Sequence, residues 1–106
     1  MNDVSGATMP ASDHRYVKVN LLRDGARLLA QLDLGQAHRP YVLAAIELLS
    51  QANPGRKELW SATKRMAMVG SGLTRAMTAS LSEEDQELLR EATAYAAQTH
   101  RKLSPS

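Results

Sequence analysis

At 106 residues, the chain has room for one hydrophobic core and not for two. It contains no cysteine, which excludes disulfides, thiolate nucleophiles and thiolate metal sites. Thirteen Lys and Arg against eleven Asp and Glu leave a net charge of +2, too balanced to argue for nucleic acid by charge alone.

Phe is absent and the aromatic residues are Tyr16, Tyr41, Trp60 and Tyr95, so the core must come from Leu, Ala, Val, Ile and Met. Ala-rich helices pack closely but bury little area each, and a second subunit would add what they lack. The composition therefore leads us to expect a homodimer.

Residues 1–12 are rich in Gly, Ser, Pro and Ala and are expected to form a disordered tail. Met1 to Pro10 holds no apolar stretch of the kind a secretion signal needs. No run approaches the roughly 18 apolar residues of a membrane span. These features predict a cytoplasmic protein with no membrane contact. Its single helical domain should cover residues 13–103, with a frayed tail at 104–106.

The first segment, Arg15 to Leu34, can be read in three ways. As a helix, it sets Asn20, Arg23, Asp24, Arg27 and Gln31 on a polar stripe, with Val17, Leu21, Leu28 and Leu32 opposite. As a hairpin, Val17, Val19 and Leu21 alternate with Lys18 and Asn20 ahead of the turn pair Asp24-Gly25. The third reading joins a short strand over 16–21 to a helix. The run Ala26 to Leu32 has high helix propensity and favours a helix over 23–33, which leaves 16–21 open between strand and helix.

Gly35 is placed to close that helix as its C′ residue. Pro40 opens the next one, where its missing N–H costs nothing, with Val42, Ala45, Ile46 and Leu49 as its apolar stripe. Asn53-Pro54-Gly55 forms a stop.

The third segment carries a seam at alternating spacings of three and four: Leu59, Ala62, Met66, Val69, Leu73 and Ala76. It runs through Gly70-Ser71-Gly72. Because the spacing survives both glycines, a continuous or mildly kinked helix is expected. Trp60 and Met68 fall off the seam, at about 100° and about 180° on a helical wheel that starts from Leu59. That surplus of apolar surface predicts a second packing partner for the helix, either a dimer mate or a docked protein. Five cations between Arg56 and Arg75 read as a solvated face.

The fourth helix has the strongest local signals. Ser82 is the N-cap, Glu83, Glu84 and Asp85 complement the dipole at its start, and His100, Arg101 and Lys102 do so at its end. Leu89, Ala92, Ala96 and Leu103 form its buried stripe, with Leu88 and Tyr95 beside it.

Nothing in the sequence proposes a reaction. His14, His38 and His100 lie in different segments, no nucleophile elbow or poised carboxylate pair is visible, and Gly70-Ser71-Gly72 lacks the Lys-Ser or Lys-Thr of a phosphate loop. The expectation is a non-enzymatic protein with no cofactor and no metal. The candidate protein-binding surface is Trp60, Met66, Met68, Val69, Leu73 and Met77, since flexible Met and large Trp side chains suit docking surfaces.

Two resemblances sharpen this. Tyr16 to Leu21, followed by a helix and by Gly35 to Pro40 leading into Val42 to Ile46, resembles a ribbon-helix-helix repressor. That resemblance implies a dimer that reads DNA with Lys18 and Asn20 on a strand and approaches a phosphate near Arg39. In overall character, the short, basic, Ala/Leu/Met-rich chain with a Met-Trp surface is similar to small bacterial quorum-sensing anti-activators of the QslA type. This resemblance implies blocking of the dimerisation or DNA binding of a LuxR-type transcription factor. A structural or assembly subunit is the third expectation. The expected fold is mainly α, a bundle of three to four helices with or without a short N-terminal strand.

Overall fold

A 3-10 turn at His14–Tyr16 leads into five helices: α1 (Val19–Gln31), α2 (Arg39–Leu49), α3 (Arg56–Ser71), α4 (Arg75–Thr78) and α5 (Glu83–Leu103). The structure, a computed structural model, describes residues 13–104. The chain is mainly helical, and among the described residues there is no strand. Of the expected tails, residues 1–12 and 105–106 lie outside the described residues, whereas Ser104 is held in place, its hydroxyl donating to the His100 carbonyl at 2.7 Å.

The four longer helices touch in a ring. α1 packs on α2 and α5, α3 packs on α2 and α5, and α1 meets α3 only marginally across the middle. The side chains buried most completely inside the ring include Leu22, Leu29, Val42, Leu49, Leu59 and Met66.

The first segment is helical from Val19, which settles residues 19–21 and moves the expected start at 23 back by one turn. The period-2 alternation of Val17, Val19 and Leu21 misleads because these side chains are only half-buried against the core. The buried residues are Leu22, Gly25, Ala26, Leu28 and Leu29, with Leu32 just beyond the helix, so Leu28 and Leu32 of the expected apolar side are buried while Val17 and Leu21 are not fully so. Asp24-Gly25 is therefore not a turn. A Cβ on Gly25 would stand 2.2 Å from the Ala92 Cβ and 3.3 Å from the Met66 Cε, so Gly25 is where α1 crosses α5 at closest approach.

Gly35 is left-handed, with φ of 81°, but it is not the C′ cap. α1 ends at Gln31, and Gly35 instead turns the connection so that its carbonyl accepts the Arg39 N–H at 3.1 Å. Pro40 stands in the first turn of α2 as expected. Val42, Ala45 and Leu49 are buried, with Ile46 half-buried beside them.

The seam of the third segment holds for Leu59, Ala62, Met66 and Val69, all buried, and then stops. α3 ends at Ser71, Leu73 is half-buried, and Ala76 is exposed on the separate helix α4. The expected continuity fails because Thr74 offers an alternative start: its hydroxyl accepts the Met77 N–H at 3.3 Å and caps α4. The two glycines have different jobs. Gly70 lies inside α3 against Thr93 of α5, where a Cβ would come within 2.9 Å of the threonine side chain, whereas Gly72 ends the helix.

α5 follows its sequence signals closely. The Ser82 hydroxyl accepts the Asp85 N–H at 3.1 Å, and Leu89, Ala92, Ala96 and Leu103 are buried, joined by Thr99. Ser82→Ala removes this cap and is expected to cost about 1 kcal/mol, to be read from the denaturation midpoint.

Candidate functional site

Met66 and Val69 belong to the core, not to a docking surface. They face inward because α3 is flanked on both sides within one chain, by α2 and by α5. The off-seam groups find neighbours the same way. Trp60 is half-buried against the end of α5: its indole N–H donates to the Ser104 hydroxyl at 2.9 Å, and its ring lies 4.9 Å from the His100 ring. The need for a second packing partner, read from the helical wheel, is thus largely met by the monomer itself.

Met68 is the exception. It is 57 % exposed, and its sulfur accepts the Tyr41 hydroxyl at 3.3 Å. Met68, Met77, Leu34 and His38 line a shallow cavity of ≈ 100 Å³ together with Val69 and Gly72. The α1–α2 connection, the end of α3 and the short α4 converge there. Leu73 is turned away and lines a separate groove with Leu89 and Thr93 of α5. Of the six candidate residues, the structure therefore brings Met68, Val69 and Met77 together at one end, with Val69 contributing the edge of an otherwise buried side chain. Trp60 stands by itself near the other.

No family model, curated protein or solved structure matches the chain.

The residues implicated in DNA reading are engaged internally. Lys18 precedes α1, its backbone N–H donates to the Tyr95 hydroxyl at 2.9 Å, and its ammonium lies 5.7 Å from the Tyr95 ring centre. The Asn20 amide oxygen accepts from Arg23 at 3.1 Å, and both residues are in α1. Arg39 donates to the carbonyls of Ala30 and Leu32 at 2.6 and 2.9 Å. The ribbon that would present Lys18 and Asn20 to a groove is absent, because 19–21 is helix.

Arg39 is one of a set that sequence reasoning missed. The carbonyls at the end of each long helix lack partners within it, and three of these ends receive an arginine from a neighbouring helix. Arg39 serves the end of α1. Arg23 donates to the Leu49 carbonyl of α2 at 3.1 and 2.7 Å, and Arg56 donates to the Leu103 carbonyl of α5 at 3.0 Å. Arg65 adds a bond to the Tyr41 carbonyl at 3.3 Å while its guanidinium lies 4.4 Å from the Tyr41 ring centre. The cations between Arg56 and Arg75, read as a solvated face, are in part clamps between helices. The available signal was positional: in a ring of helices joined by short connections, the start of one lies near the end of the next.

Ionisable chemistry is sparse. Hydrogen bonds from the Arg15 side chain and backbone hold the Asp13 carboxyl down to about 2, but this is a local pair at the start of the 3-10 turn, with Asp13 partly buried and Arg15 exposed. The turn is accordingly intact above the ordinary carboxylate range and loses this bond only as pH falls through about 2. Among the described residues, no group of three or more His, Asp or Glu is placed to hold a metal ion. No described helix is long and apolar enough to cross a membrane.

Proposed function

We propose that the protein is a non-enzymatic regulator that docks onto another protein through the end patch led by Met68 and Met77. The observation that carries this reading is the exposure of Met68 on a helix whose Leu59, Met66 and Val69 are buried and whose Trp60 is half-buried. An unbranched thioether adapts to an imperfectly matched surface, and Tyr41 beside it adds an aromatic contact with a polar tip. The resemblance to bacterial anti-activators gives the reading its concrete form. The patch would cover the dimerisation or DNA-binding surface of a LuxR-type transcription factor in the cytoplasm. A homodimer through the same patch is the competing occupant.

The test is capture of such a factor by the wild-type chain and by Met68→Asp. Burying a Met side chain is worth about 1.5–3 kcal/mol, so the variant should bind at least about tenfold more weakly while its circular dichroism and melting stay unchanged. Undiminished capture by the variant would overturn the proposal. A wild-type dimer that dissociates on Met68→Asp, with no factor captured, would reassign the patch to self-association.

A further inference from the structure

Between α4 and α5 lies a groove of mixed chemistry, ≈ 240 Å³ in volume. Its floor is formed by Gly70 of α3, the half-buried Leu73 and the edge of the buried Leu89. Arg75 stands on one wall and Arg90 on the other, among Thr74, Thr78, Gln86 and Thr93. On α5, Gln86, Leu89, Arg90 and Thr93 recur at i, i+3, i+4 and i+7 and share one helical face.

Most of the polar groups here are already engaged by the fold. The Thr78 hydroxyl donates to the Arg75 carbonyl at 3.3 Å, and the Thr93 hydroxyl to the Leu89 carbonyl at 2.8 Å. The Gln86 amide donates to the carbonyls of Thr78 and Leu81 at 3.1 and 3.0 Å. Arg90 is paired with Glu87. Two donors are left. The Thr74 hydroxyl accepts the Met77 N–H, and its own hydrogen has no acceptor among the described residues. The exposed Arg75 guanidinium has neither an ion pair nor a hydrogen bond among them.

We propose that this groove binds a small organic acid. Arg75 and the Thr74 hydroxyl hold its carboxylate, and its short apolar body lies on Leu73 and Leu89. The space falls below the roughly 300–1,000 Å³ of a drug-sized pocket, so one ring or a short alkyl chain fills it. A bare inorganic anion would leave the floor wet, and an uncharged ligand would leave Arg75 without a partner.

Occupancy of the groove reaches the end patch through α4. Arg75 and Thr78 line the groove, while Met77 of the same single turn lines the cavity beside Met68. α4 packs only lightly on the long helices, which makes it the helix most readily moved. The ligand site stands whatever the end patch binds. Its link to Met77 becomes regulation of docking where the reading of that patch holds.

The probe is sodium benzoate at constant ionic strength, read by the amide NMR signals of the full chain and by its methionine methyl signals. Benzyl alcohol, which lacks the charge, and inorganic phosphate, which lacks the apolar body, are the controls. Benzoate should move the amides of residues 70–78 and 86–93 and saturate by about 10 mM. Each control should bind at least about tenfold more weakly. Arg75→Gln, altered at an exposed position, should lose at least about tenfold with unchanged circular dichroism. Glu87→Gln, which releases Arg90, should gain up to about threefold. The Met77 methyl should move with the same midpoint as the groove.

The proposal is overturned if benzoate moves neither stretch of amides, if either control binds equally, if Arg75→Gln binds as well as wild type, or if Glu87→Gln binds more weakly. A Met77 methyl that stays still while the groove saturates overturns the link to the end patch. Loss of factor capture on Met68→Asp with benzoate binding intact would leave the ligand site standing, and the reverse result would leave the end patch standing.

Discussion

Gly25→Leu is expected to leave the protein largely unfolded at room temperature, and Gly25→Ala to destabilise it measurably. The site joins two helices with no space between them: a single added carbon would sit 2.2 Å from the Ala92 Cβ, a rigid neighbour on a buried face. Alanine gains about 1 kcal/mol of helix propensity over glycine, but forcing a methyl into a filled contact costs about 1–3 kcal/mol and separates α1 from α5. The balance for alanine is a net loss of up to about 2 kcal/mol, towards the upper end because 2.2 Å is well inside any contact a Cβ makes. For leucine the loss should exceed about 3 kcal/mol, a large share of the roughly 5–15 kcal/mol that holds such a domain.

Gly70→Ala is the contrasting case. Its nearest neighbours are the Cβ and Cγ2 of the half-buried Thr93, both at 2.9 Å; rotation moves only the Cγ2, so α3 and α5 must part slightly, and the loss should be smaller than for Gly25→Ala, where the contact is 2.2 Å. Urea denaturation of the three variants checks the order. Equal midpoints for Gly25→Ala and wild type would show that the α1–α5 approach is looser than described.

Arg39→Met is expected to destabilise the protein by about 1.5–3 kcal/mol, the usual worth of hydrogen bonds to a charged group. It deletes two bonds, to Ala30 and Leu32, that satisfy the end of α1. Arg23→Met should cost a similar amount at the end of α2. Arg39→Lys should recover little, because an ammonium cannot reproduce a planar fork that reaches two carbonyls. Arg27 is exposed and makes no such bond, so Arg27→Met should fall within about 0.5 kcal/mol of wild type. If the Arg27 and Arg39 variants melt alike, the clamp has no energetic content.

The helical character of the chain and much of its element order were legible in the sequence, and the reasons differ by element. α5 could be located almost to the residue because its signals are local: Ser82, three acids and three cations act within one turn of each helix end. The start of α1 was obscure because its decisive partners, Tyr95 and Ala92, lie on α5, at the other end of the chain. Asp24-Gly25 carries the chemistry of a turn, and only the opposing helix shows that glycine is there for its lack of a side chain.

Two residues of the expected docking surface are buried for a geometric reason. A helical wheel assumes one covered face, but a helix inside a ring has two, and Met66 and Val69 fall on the covered part. Met68 lies on the outer side of α3, where the Tyr41 hydroxyl of α2 reaches its sulfur but leaves the side chain 57 % exposed. The arginines were invisible as clamps because a cation in a sequence shows its charge and not the carbonyl it will meet.

Joining the first long helix to the last gives the ring a property that an open stack would lack. Without α1, the faces of α2 and α5 lie open together, and without α5, those of α1 and α3 do. With no Phe and with glycine and alanine at the closing contact, no pair of helices buries enough to survive by itself. The chain therefore folds and unfolds as one cooperative unit, and a proteolytic cut in any of its connections should release the whole ring rather than a stable half.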